Sequence, residues 1–135
     1  TRTPTTCLLG LAYRPGFADI GCSPALRVYQ HIDSAVTCFL HDPHASREEV
    51  EYALRDEAPD AWHWAAPSLV DLKDYDVIVL ITPHEAYLDL PERGAWRAGQ
   101  TVIDARGTWT GAAHQALFAA AGVKYIQVGT PGWCA

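Results

Sequence analysis

At 135 residues, 49% of them hydrophobic, the chain fits one domain with a core of its own. Its 10 Lys and Arg against 16 Asp and Glu give a formal net charge of −6, which argues against a general nucleic-acid or anionic-membrane binder, since either needs a basic face. One small anion held by a pair of arginines stays compatible with that balance. No apolar run reaches the roughly 18 residues of a spanning helix. No basic stretch precedes an apolar one as in a signal peptide, so a cytoplasmic chain with reduced thiols is expected.

In chain order, Cys7-Leu8-Leu9-Gly10-Leu11-Ala12 reads as a buried strand running into a Gly/Pro loop. Ser23-Pro24 then starts a helix, with serine at the N-cap and proline at the first position. Residues 35–40 predict a second strand, followed by the polar loop His41-Asp42-Pro43-His44. Ser46-Arg47-Glu48-Glu49 is a capping box opening a helix to about Glu57. Trp62-His63-Trp64 reads as a short strand with His63 packed between its neighbours, and residues 67–74 as a short helix and turn. The run 77–81 is the clearest strand. Thr101-Val102-Ile103 follows, leading into Asp104-Ala105-Arg106-Gly107. An alanine-rich helix spans 112–121, closed by Gly122, and 123–128 is a last strand.

Strands alternating with helices predict an α/β, Rossmann-like three-layer sandwich. Its mostly parallel sheet would hold about five or six strands within a single domain, 1–135. Ligands in such folds sit at the carboxyl ends of the strands. That rule selects segments 13–22, 41–45, 82–85 and 104–108.

Familiar cofactor and metal motifs are missing. A dinucleotide fingerprint needs glycines that Gly10-Leu11-Ala12-Tyr13-Arg14-Pro15-Gly16 does not place, so no cofactor is expected. Cys7, Cys22, Cys38 and Cys134 lack zinc spacing, and no two histidines form a helical metal pair, so no metal is expected either. Cys7 and Cys38, inside apolar runs, read as buried thiols.

The segment from Leu9 to Leu26, with Gly10-Leu11-Ala12-Tyr13-Arg14-Pro15 and Asp19-Ile20-Gly21-Cys22-Ser23-Pro24-Ala25-Leu26, resembles the opening of a known domain. This is the C-terminal, UDP-sugar-binding domain of the UDP-glucose/GDP-mannose dehydrogenase family, with its pattern G-L-A-Y-K-P-x-T-x-D-x-R-x-S-P-A-L. Further likenesses follow in register: Asp42-Pro43, the stretch from Asp76 to Thr82 with His84, and Val102 to Gly107. The resemblance implies that Arg14, in place of the family's lysine, and Arg106 contact a sugar nucleotide, with Tyr13 packing beside it. Two guanidiniums and a ring suit a diphosphate and a base. The family's arginine toward the nicotinamide cofactor is replaced here by Gly21, and its threonine by Phe17. The family's catalytic cysteine context is not found. An excised domain or a free-standing descendant is therefore expected, and Gly21 favours the latter.

Substrate-binding candidates are thus Tyr13, Arg14, Asp104, Arg106 and Trp109, the last as a pocket wall. Asp104 is expected chiefly to hold its loop by accepting backbone N–H bonds. His41, His44 and His84 at strand ends could act as general acid or base, Asp19 as a loop organiser or acid, and Cys22 as a thiol at a helix start. The expected function is nucleotide-sugar binding without NAD-dependent oxidation by these residues alone. The alternative is a cofactor-free isomerase, cyclase or lyase using the same cleft for another small molecule. A homodimer through the alanine-rich helix and exposed tryptophans, or a separate dehydrogenase subunit, are the expected protein partners.

Overall fold

The computed structural model describes residues 3–11, 28–29, 36–56, 62–65 and 72–128. Tyr13, Arg14, Asp19, Cys22 and the Ser23-Pro24 helix start lie outside them. The described elements are β1 (Thr5–Leu9), β2 (Thr37–His41), α1 (Arg47–Ala53), β3 (His63–Trp64) and a 3-10 turn (Leu72–Asp74). They continue with β4 (Val77–Leu80), a second 3-10 turn (Glu85–Tyr87), α2 (Leu90–Arg93), β5 (Thr101–Asp104), α3 (Ala112–Ala121) and β6 (Lys124–Gln127).

The six strands form one sheet in the order β3-β2-β1-β4-β5-β6, and every pairing is parallel. The direction of winding reverses between β1 and β4, so a crevice opens there at the carboxyl ends of the strands. Successive side chains along a strand point to opposite faces. Leu40, Leu8, Val79 and Ile103 stand in register on one face, where Val50 and Leu54 cover them. Cys7, Ile78 and Val102 belong to the other face, under Leu90 and Phe118. Helices on both faces explain why β1 and β4 read as near-continuous apolar runs.

Several local expectations shift. β1 starts at Thr5 and ends before Gly10, and β2 ends on His41, so that histidine belongs to the strand and not to the loop. The Ser46 capping box is formed: the Ser46 hydroxyl accepts from Glu49 N and the Glu49 carboxylate from Ser46 N, each at 3.1 Å. The helix it opens stops at Ala53, short of Glu57. α3 runs from Ala112 to Ala121 as read, with Gly122 in the left-handed region. His63 is exposed, not packed between its tryptophans. Trp62 and Trp109 are buried and Trp64 and Trp96 half-buried, so no described tryptophan offers the exposed ring expected for a dimer contact.

Cys7 and Cys38 are buried, and burial pushes the Cys38 thiol from an ordinary 9.0 up to about 12. The folded chain should therefore leave both thiols unalkylated by iodoacetamide at pH 8, and urea should expose them. The sign of the linkage follows. The unfolded thiol ionises above its ordinary value while the folded one stays protonated. Its contribution to stability is complete below pH 9 and is lost as pH rises toward 12. A urea midpoint that rose with pH across that window would contradict this.

Candidate functional site

The carboxyl ends of β1, β2 and β4 are joined by one buried carboxylate. Asp42 follows β2 directly. Its Oδ1 accepts from the backbone N–H groups of His44 (2.7 Å) and Ala45 (3.1 Å), which closes its own loop. Its Oδ2 accepts from Leu11 N at 2.7 Å and from His84 Nε2 at 2.9 Å. Both side chains of the Asp42–His84 pair are 0% exposed. A buried carboxylate is tolerable only when charge-assisted hydrogen bonds surround it, and these donors come from the far sides of the crevice.

Rings pack around the pair. His44 meets His84 edge-on at 4.8 Å and Tyr87 meets it at 5.8 Å between centroids. The Tyr87 hydroxyl lies 2.7 Å from His41 Nδ1 and 3.2 Å from the His41 carbonyl. Burial, and then the Asp42 charge, raise the Tyr87 phenol above its ordinary range, so it stays protonated. The three strand-end histidines thus converge as a group. His41 and His84 are buried and His44 is exposed.

Gly10 lets the crevice close. Its φ is +92°, and a Cβ there would stand 2.4 Å from the Thr82 carbonyl oxygen. The first glycine of the would-be dinucleotide motif therefore serves contact between β1 and the loop after β4.

The loop after β5 is organised by Asp104. Its Oδ1 accepts from Arg106 N (3.2 Å) and Thr108 N (3.0 Å), and its Oδ2 from Trp109 N (2.7 Å) and the Tyr125 hydroxyl (2.6 Å). Asp104 is fully buried. Burial, with the bond to Asp104 and its charge, raises the Tyr125 phenol as well. Trp109 is also fully buried, its ring against Phe118 and its indole N–H on the Tyr87 carbonyl at 3.1 Å. It underpins the loop from within the core, where a pocket wall would need an open face.

Arg106 rides on this loop and is exposed. The other described arginines are engaged: Arg47 with Glu51, Arg55 with the Tyr52 carbonyl, Arg93 with Asp89 and the Ala86 carbonyl, Arg97 with Asp76. Among the described residues the Arg106 guanidinium has no hydrogen bond or ion pair. An open depression of about 650 Å³ lies between Pro43–His44 and the segment carrying Glu85, Leu88, Asp89 and Arg93. Its arginine is already neutralised by Asp89, so it lacks the free cation that an anion would need. Among the described residues no three His, Cys, Asp or Glu side chains converge as a metal would require.

Sequence reading missed Asp42 as the hub, together with Tyr87 and Tyr125. The histidine that Asp42 holds is 42 residues on in the chain, beyond the reach of any local pattern.

A family model described as "UDP-glucose/GDP-mannose dehydrogenase family, UDP binding domain" matches residues 7–111. No curated protein matches the chain in sequence. Among solved structures the chain is similar to a UDP-glucose dehydrogenase from the hyperthermophilic archaeon Pyrobaculum islandicum, with a TM-score of 0.67 and 19% identity. That match covers 95% of this chain and 25% of the dehydrogenase. At such identity the likeness speaks for the fold. The chain spans about a quarter of that relative's length.

Proposed function

Because the chain belongs to the UDP-glucose/GDP-mannose dehydrogenase family, within its UDP-binding domain, we propose that it binds a UDP-sugar at the carboxyl edge of the sheet, with Arg106 as the cation for the diphosphate. The observation that carries this reading is the state of Arg106. In a chain of net charge −6, this exposed guanidinium stays unpaired among the described residues. It sits on a loop whose backbone is fixed by a buried carboxylate. An unpaired guanidinium on a fixed backbone suits a phosphate, because both of its N–H edges remain available for bidentate contact. Tyr13 and Arg14 are the companions implied by resemblance.

Oxidation is not assigned to these residues. The described thiols, Cys7 and Cys38, lie in the core. No observation favours the alternative of a cofactor-free acid–base enzyme. His84 and His41 are buried, whereas a general base must reach its substrate, and the exposed His44 packs its ring edge-on against His84.

Calorimetric titration tests the reading. UDP and UDP-glucose should bind saturably, and Arg106→Ala should weaken UDP about tenfold while weakening uridine little, since the lost contact is with phosphate. Equal affinity of the variant and the parent for UDP would remove Arg106 from the site. No binding of either ligand to the parent chain would overturn the reading itself.

A further inference from the structure

We propose that the buried Asp42–His84 pair is a positioning device for nucleotide binding, which fixes the point where the chain leaves β1 toward Tyr13 and Arg14. The inference rests on the nucleotide-binding reading above and assigns a role in it to residues that no contact with ligand would reveal.

Asp42 holds its own loop with one carboxylate oxygen, on His44 N and Ala45 N. The other oxygen bridges the crevice, taking Leu11 N at 2.7 Å from the β1 side and His84 Nε2 at 2.9 Å from the β4 side. Leu11 is fully buried and stands two residues ahead of Tyr13 in the sequence. His84 cannot turn away, because His44 and Tyr87 rings pack on it. Its ring is 0% exposed, which suits a fixed donor and not a group that exchanges protons with a substrate. A buried carboxylate deprived of a donor seeks another or draws in water. Loss of the imidazole would then move Asp42 Oδ2, and Leu11 with it. His84 is thus a positioning residue that acts through Asp42 on the backbone at Leu11.

The test compares His84→Leu, which removes the donor at similar volume, with His84→Gln, whose side-chain N–H2 can reach the same carboxylate oxygen. UDP titration, thermal midpoint and the Leu11 amide proton resonance are measured on each. Both variants should melt below the parent. UDP affinity should fall about tenfold or more in His84→Leu and return to within about threefold of the parent in His84→Gln. The Leu11 amide proton, downfield in the parent because of its short bond to a carboxylate, should move upfield in the first variant and back in the second. The proposal is overturned if affinity follows the midpoint instead of the donor, or if the Leu11 resonance is the same in all three. Should His84→Leu fail to fold, His84→Asn, whose shorter arm keeps its amide away from Asp42 Oδ2, takes its place as the variant without the donor. If the parent binds no UDP, the nucleotide reading fails, and the Leu11 resonance still decides whether the pair positions that backbone.

Discussion

Gly10→Ala is expected to destabilise the chain by about 4 kcal/mol, the sum of a strained backbone and a hard overlap. The strain comes from φ of +92°, and the overlap from a Cβ 2.4 Å from the Thr82 carbonyl oxygen and 2.8 Å from Thr82 N. Backbone atoms cannot rotate aside as a flexible side chain can. The contact is also tied on both sides: Gly10 N donates to the His41 carbonyl at 2.9 Å and Ile81 N to the Leu9 carbonyl at 2.9 Å. Relief therefore means parting the ends of β1 and β4, where the crevice lies. For a domain of this size the thermal midpoint should fall by about 15 °C. Gly99→Ala is the control. Its φ is +94° but nothing lies within 4 Å of a Cβ there, so only the strain of about 1 kcal/mol remains. Equal midpoints for the two variants would mean that the Gly10–Thr82 approach is not close.

Asp104→Ala should cost a similar amount, about 4 kcal/mol, for a different reason. It leaves the N–H groups of Arg106, Thr108 and Trp109 and the Tyr125 hydroxyl without their acceptor. The Trp109 N–H bond is buried and the other three are part-buried, and each donor stranded this way costs about 1 kcal/mol. Asp104→Asn keeps one acceptor oxygen and replaces the other by a donor, so about half of the loss is expected. Tyr125→Phe, which removes a single hydroxyl, should cost about 1 kcal/mol. The order Ala, Asn, Tyr125→Phe in urea midpoints is the checkable outcome. UDP affinity should fall with the first two, because the loop that carries Arg106 loses its anchor. An Asp104→Ala chain with the parental midpoint would show that the loop holds itself.

How much of this was legible in the sequence depended on the range of each interaction. The cores of β1, β4 and β5 announce themselves as charge-free runs because the sheet is covered on both faces. The Ser46 capping box and the α3–Gly122 boundary are local and were readable to the residue or nearly so. Asp104 as a loop anchor was also readable, since its acceptors' partners follow within five residues. The Glu85–Tyr87 turn and α2 escaped, being only a turn or so long, with Pro91 inside the second. His63 departs from the expected packing because neighbours in sequence do not share a face in a strand. Period-two alternation would have set it opposite Trp62 and Trp64. The Asp42–His84 bond and the Tyr125–Asp104 bond join segments 42 and 21 residues apart in the chain, and no local pattern encodes them.

Whether UDP binds at the carboxyl edge of the sheet is decided by an amide-resonance map of the chain titrated with UDP. Saturable shifts are expected at that edge, in Leu11, His44, Thr82, His84 and residues 105–109. The opposite edge, where Thr5, Asp76 and Arg97 are joined by hydrogen bonds, should remain still. Shifts confined to that opposite edge, or none at saturating UDP, would contradict the proposed binding.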